Sequence, residues 1–231
     1  MTIVLVHGAW HGPWCYDKVK RILEKEGHRV IVPQFPCQTT KDKEASLAAY
    51  HEILEDVISP LKEPVILCGH SLGGLIITQF ASQYPELIEK LVYIAAFIPK
   101  PGQSLTDCAI EDTKTNMQPA FLKTGDDSLL VLNSKVVARY LYNTCDQQDV
   151  QDVVSKLVPQ SQSVMTEKAD YQPERIKDLN KISILCKKDR AVSLDAQQKM
   201  QQAISCQAIV LDSCHSPFLS MPEELVRAIT L

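Results

Sequence analysis

The sequence lacks any apolar run long enough to cross a bilayer. Its first hydrophobic stretch, Thr2-Ile3-Val4-Leu5-Val6, stops at His7-Gly8 after about five residues, whereas a membrane helix needs about 20 and a signal-peptide core at least about seven. The chain therefore reads as cytoplasmic, with no membrane insertion. It also lacks a basic stripe. With a formal net charge of -4 and Lys and Arg scattered among Asp and Glu, it offers no footprint for nucleic acid and no polybasic anchor. Eight cysteines are present without a single C-x-x-C pair, and several lie in apolar runs, so they read as buried free thiols. Cys206, Cys214 and His215 come nearest to a zinc ligand set, but no second local cluster completes it, and no metal is expected. Neither a G-K-[ST] phosphate loop nor a G-x-G-x-x-G followed by an acidic ribose ligand occurs, which leaves nucleotide binding without support. Internal repeats and low-complexity stretches are absent as well.

What is present is an alternation of strand-like and helix-like segments, the mark of βαβ units and a mostly parallel, doubly wound sheet of about six strands. The pattern predicts strands at 2–6, 29–32, 64–68 and 90–95, with helices at 14–26, 45–58 and 72–83 between and after them. Val19, Ile22 and Leu23 mark the buried stripe of the first helix, and Gly27 suits its C-terminal cap. Val65-Ile66-Leu67-Cys68 and Leu91-Val92-Tyr93-Ile94 are continuous apolar runs, as strands covered on both faces require. From Pro99 to about Asp178 the rhythm fails. Pro99, Pro101 and Gly102 are followed by amphipathic stretches at 129–142 and 149–157, which read as helices of an inserted cap. Strands at 182–186 and 207–211 and helices at 194–203 and 222–229 then resume the alternation. The expected division is a core of residues 1–98 and 179–231 with a cap over 99–178, in a chain whose 231 residues suit one domain with an insertion.

Gly69-His70-Ser71-Leu72-Gly73 follows a buried strand and opens a helix, the setting in which G-x-S-x-G forms a sharp turn that exposes a serine hydroxyl. Such a turn strains the serine backbone and requires neighbours without bulky side chains. A serine needs a base, and the base a carboxylate that holds its tautomer. His215 alone among the six histidines lies beyond the cap segment, just past the last strand, and reads as the base. Asp189 follows the strand at 182–186, at the carboxyl edge where reactive groups of open α/β sheets gather, and reads as the acid. Asp212 competes, but it lies only three residues before His215, and Asp195 suits a helix start. His28 and His51 read as solvated surface residues and His70 as a packing neighbour. The Leu72 amide, at a helix N-terminus, and the Ala9 amide, in the loop His7 to Gly12, are placed to stabilise an oxyanion, with Gly8 letting the backbone turn. His11, Phe97, Phe121, Leu122, Leu129 and Tyr142 are candidate pocket residues. The alternative for each apolar one is ordinary core packing.

Val4 through Trp14, Gly69 through Gly74, Ala95-Ala96-Phe97, Lys188 through Val192 and Cys214-His215-Ser216-Pro217 together resemble the α/β-hydrolase group that contains plant methylesterases, hydroxynitrile lyases and their bacterial relatives. The resemblance spans nearly the whole chain and is weakest over 99–178, where members of that group set substrate choice. It implies a cofactor-free carboxylesterase acting on small esters, with Ser71, His215 and Asp189 as triad and Ala9 and Leu72 as oxyanion donors, and a monomer or homodimer whose partner is its small-molecule substrate. The lyases of the group carry a threonine directly after the loop histidine and a lysine directly after the catalytic histidine. Here those positions are Gly8 and Ser216, and a serine hydroxyl provides no cation for cyanide. A cofactor-free lyase and a non-catalytic ligand-binding scaffold remain the alternatives.

Overall fold

A computed structural model describes residues 1–37, 45–123, 125 and 128–231. Its centre is a six-stranded, wholly parallel sheet built from β1 (Thr2–Val6), β2 (Arg29–Ile31), β3 (Val65–His70), β4 (Ile88–Ile94) and two later strands, β8 (Asn180–Cys186) and β9 (Gln207–Leu211). The order across the sheet is β2-β1-β3-β4-β8-β9. The chain runs outward from β1 to β2 and then returns to the other side of β1, so the winding direction reverses between β1 and β3. Crevices at such a reversal, outside the carboxyl ends of the strands, are where open α/β sheets bind ligands.

The strands form where the apolar runs lie. Every residue of β1 and β3 is buried, and each fully buried Val, Leu or Ile side chain contributes roughly 1.5–3 kcal/mol. Around the sheet lie α1 (Asp17–Lys25), α2 (Leu47–Ile58) and α3 (Gly73–Gln83). Val19 and Leu23 bury the inner stripe of α1, and Ser46 caps α2 by accepting from the Ala49 amide. A 3-10 turn at Pro13–Tyr16 precedes α1, so the helix starts later than the apolar periodicity suggested. α3 is apolar nearly all round and lies buried along almost its whole length, because it is packed against β3, α2 and a later helix, α8.

Between β4 and β8 the chain leaves the sheet. This stretch holds α4 (Leu105–Glu111), the strands β5 (Phe121–Leu122), β6 (Leu129–Leu132) and β7 (Gln160–Ser161), and the helices α5 (Ala138–Leu141), α6 (Gln147–Val154), α7 (Gln162–Thr166) and α8 (Pro173–Ile176). The segment 129–142 is thus not one helix. Leu129-Leu130-Val131-Leu132 pairs antiparallel with β5 on one side and β7 on the other, and only its last residues turn into α5. A four-residue apolar run satisfies either geometry, and partners distant in sequence decide in favour of the strand. The helix expected at 149–157 is α6. Beyond β8, α9 (Leu194–Ala203), α10 (Pro217–Ser220) and α11 (Pro222–Thr230) complete the fold. Among the described residues no helix is long and apolar enough to cross a membrane.

Candidate active site

β3 extends through Gly69 and His70, so the serine turn begins directly at the strand's end. Ser71 adopts a left-handed backbone (φ 52°), a conformation that costs of order 1–3 kcal/mol for a non-glycine residue. The surrounding bonds enforce it: the Ser71 amide donates to the Ile94 carbonyl at 3.1 Å, and its own carbonyl accepts from the Gly74 and Phe97 amides, both at 3.0 Å. The turn is so tight that a Cβ on Gly69 would overlap the Gly73 carbonyl. The serine is therefore held at the carboxyl edge of the sheet by backbone alone.

Asp189 and His215 come together although they lie on separate loops after β8 and β9. His215 Nδ1 donates to Asp189 Oδ2 at 2.7 Å, with both side chains buried. The other carboxylate oxygen accepts from the Ala191 and Val192 amides at 2.7 and 2.9 Å. With Nδ1 engaged, Nε2 is the ring atom left to take a proton. His215 and Ser71 line one cavity of about 440 Å³. The competing carboxylates lie elsewhere: Asp212 is exposed and paired with Lys188 Nζ at 2.6 Å, and Asp195 pairs with Lys114 and Lys199 at the start of α9.

The loop after β1 is held by its histidines. His7 Nδ1 donates to the Gly8 carbonyl at 3.0 Å while its Nε2 accepts from the Phe35 amide. His11 Nδ1 donates to the Ala9 carbonyl at 2.7 Å, and Tyr142 Oη donates to His11 Nε2 at 2.7 Å. Burial depresses both imidazoles, His7 to about 4 and His11 to about 3, so both are neutral near pH 7. Among the described residues neither the Ala9 nor the Leu72 amide donates to a protein acceptor. Gly8 passes close to the serine: a Cβ there would stand 2.8 Å from His70 Nδ1 and 2.9 Å from Ser71 Cβ.

Of the candidate pocket residues, Phe97 and Phe121 line the cavity, whereas Gly8, His11, Leu122, Leu129 and Tyr142 do not. His11 and Tyr142 are spent on each other beneath the loop, and Leu122 is 45% exposed on the outside. The cavity is lined instead by Trp10, Leu105, Ile110, Met117, Leu130 and Met165 among others, with Asn116, Gln118 and Gln162 as polar groups. None of its lining residues among those described is a lysine or arginine. His28 and His51 are half-buried rather than solvated, and burial lowers the His51 pKa.

Other contributors escaped the sequence pattern. His70 is more than packing, since its Nε2 donates to the His215 carbonyl at 2.8 Å. Gln197, buried on α9, accepts from the Cys186 amide and donates to the Val192 and Cys186 carbonyls and, at 3.3 Å, to Asp189 Oδ2. Asp112, at the end of α4, takes the Ser193 amide and hydroxyl at 2.7 Å each and ties the loop after Asp189 to the 95–179 segment. Only a polar residue on the inward stripe of an amphipathic helix hinted at Gln197, and nothing local marked Asp112. Among the described residues no group of three or more His, Cys, Asp or Glu is gathered to hold a metal.

This fold and this arrangement define an α/β hydrolase, and the chain belongs to that family: the model of the Alpha/beta hydrolase family matches residues 3–228. Methylesterase 7 of Arabidopsis thaliana is 29% identical over 96% of this chain and 92% of its own length. An alpha-hydroxynitrile lyase of the same plant is 27% identical over 98% of this chain and 95% of its own. Among solved structures, a pyrethroid hydrolase from Sphingobium faniae superposes with a TM-score of 0.87 over 100% of this chain and 96% of that one, at 22% identity. Within the family the chain stands among the carboxylic ester hydrolases.

Proposed function

We propose that the chain is a cofactor-free serine carboxylesterase in which Ser71 is the nucleophile, His215 the general base and acid, and Asp189 the group that orients the imidazole. The observation that carries this reading is the 2.7 Å bond from His215 Nδ1 to Asp189, formed by an imidazole that lines the same cavity as a strained serine. In the proposed cycle, Nε2 takes the proton as Ser71 Oγ attacks the ester carbonyl, and the Asp189 carboxylate stabilises the imidazolium. The tetrahedral oxyanion accepts from the Ala9 and Leu72 amides, the latter at the N-terminus of α3, where the helix dipole favours negative charge. His215 then protonates the departing alcohol, and a water activated by the same imidazole hydrolyses the acyl-enzyme.

The cavity supports neutral esters as substrates. Its walls are aromatic and aliphatic with three carboxamides, and no cationic side chain would pair with a charged acid. Residues 99–178 act in this reading as the cap that closes over the sheet edge and supplies most of those walls. The lyase alternative is disfavoured by Gly8 and by Ser216, whose hydroxyl is fully buried, because expelled cyanide needs a nearby cation.

A fluorophosphonate should label Ser71 and add its mass to the peptide bearing that residue. Ser71→Ala should lose at least about 10³-fold in p-nitrophenyl acetate turnover while keeping its melting profile. Full turnover by that variant, or cyanide release from mandelonitrile without ester cleavage, would overturn the assignment.

A further inference from the structure

Of the eight cysteines, all within the described residues, Cys145 alone is partly exposed. Its sulfur lies 3.6 Å from that of Cys214, the residue immediately before His215. The two sit on different parts of the fold, Cys145 in the stretch between β4 and β8 and Cys214 on the loop after β9. The two segments are already fastened beside them, because the Cys214 amide donates to the Thr144 side-chain Oγ1 at 3.0 Å. From these observations we infer that Cys145 and Cys214 form a reversible disulfide under hydroperoxide, and that this bond slows the proposed esterase by displacing His215.

The chemistry balances within the pair. A thiolate sulfur displaces alkoxide or hydroxide from the peroxide O–O bond and becomes a sulfenic acid, and the neighbouring thiol then attacks that sulfur and expels water. Two thiols and one hydroperoxide thus give one disulfide, one alcohol or water, and one further water. Cys145 gives the oxidant access. The hydrogen bond between them holds the Cys214 thiol below its ordinary range and the Cys145 thiol above it, so Cys214 is the thiolate that attacks the peroxide and Cys145 the thiol that resolves it, whereas burial raises Cys15, Cys37, Cys68, Cys108, Cys186 and Cys206. Closing the pair from 3.6 Å to a bond of about 2.05 Å pulls on the backbone next to the proposed base. A displacement of about 1 Å at a reacting group costs roughly 10²-fold in rate.

The consequence for turnover rests on the esterase reading, but the bond itself does not, and the two are measured separately. Treatment of the reduced protein with hydrogen peroxide should lower the intact mass by two hydrogens and produce a Cys145–Cys214 linked peptide. Ester turnover should fall at least tenfold, and dithiothreitol should reverse both changes. Cys145→Ser and Cys145→Ala should turn over like the parent protein and keep their activity under the same peroxide dose, which separates this bond from methionine oxidation in the cavity. Failure of the linked peptide to form while Cys145 is overoxidised would overturn the proposal, as would a quantitative bond with undiminished turnover. If the bond forms in a protein whose activity survives Ser71→Ala, the oxidation site stands and the triad assignment fails.

Discussion

Acid should unfold this protein well before its carboxylates matter, through histidines that the fold keeps neutral. His7 and His11 are fully buried, and each ring already uses both nitrogens in its neutral form: Nδ1 donates to a loop carbonyl, and Nε2 accepts from the Phe35 amide or the Tyr142 hydroxyl. A proton on Nε2 breaks that acceptor bond and buries a charge. Burial accordingly lowers the pKa values to about 4 and about 3 from an ordinary 6.5. His70 is shifted the same way, first by burial and then by its neighbour His215.

Because the folded values lie below the unfolded one, the unfolded chain binds more protons between pH 6.5 and about 4, and stability falls as pH falls through that window. From pH 7 to pH 5 each of His7 and His11 costs about 2 kcal/mol by linkage, and His70 adds a third cost of the same sign. Small domains hold only about 5–15 kcal/mol in total. Asp107 and Asp112 have lowered folded values and act in a separate window, since their contribution is complete above the unfolded 3.8 and is lost as pH falls from there through the lower folded values. Urea unfolding followed by circular dichroism at half-unit steps from pH 7.5 to 5 tests the argument. The midpoint should fall steadily below pH 6.5, and His11→Gln, whatever its stability at pH 7, should flatten the slope by about one proton. A midpoint independent of pH, or an unchanged slope in that variant, would refute it.

Asp189→Asn should keep the fold and reduce kcat by about 10³- to 10⁴-fold in ester assays, because an amide beside Nδ1 no longer stabilises the imidazolium; an effect below tenfold would remove Asp189 from the mechanism. Gln197→Leu should destabilise by about 2–4 kcal/mol in urea, since the Cys186 amide and Val192 carbonyl lose buried partners, and it should lower kcat more than it raises KM. Equal effects on both parameters would show that Gln197 does not position the acid. Gly69→Ala should lower the melting temperature and abolish turnover together, because the added methyl meets the Gly73 carbonyl and overpacking of this kind costs about 1–3 kcal/mol. An active, equally stable variant would contradict the tight turn.

How far the sequence was legible depended on where the deciding partners lay. The main-sheet strands announced themselves because a parallel sheet buries both faces and so demands continuous apolar runs such as Val65 to Cys68. The expectation for Ser71, Asp189 and His215 rested on a related reason: Ser71 comes at once after β3, Asp189 and His215 lie three and four residues past the ends of β8 and β9, and strand ends of a parallel sheet share one edge. Leu129 to Tyr142 misled because β6 is only four residues long and its partners, β5 and β7, are two residues each, too short for any alternation to register. His11 and Tyr142 were singled out as pocket candidates, but their hydrogen bond turns both away from the cavity, and no local pattern reveals a bond spanning 131 residues.

The same remoteness explains why one short stretch matters more than its composition suggests. Tyr142 donates to His11, which in turn holds the Ala9 carbonyl; Asn143 Nδ2 donates to the Lys188 carbonyl at 3.1 Å; and Thr144 Oγ1 receives the Cys214 amide at 3.0 Å. Three consecutive residues thus reach the loops after β1, β8 and β9, each bond falling within two residues of a group proposed to act on the ester: the Ala9 amide, Asp189 or His215. The sheet supplies those loops at a common edge, yet parallel strands by themselves leave the loop tips free to move. Residues 142–144, which belong to the excursion between β4 and β8, help set the tips against one another, beside direct bonds between the loops such as that from the Lys188 amide to the Ser213 carbonyl at 2.8 Å. That excursion therefore acts on the proposed reaction twice, through the walls that line its cavity and through three hydrogen bonds that keep the loops bearing the Ala9 amide, the imidazole and the carboxylate in mutual register.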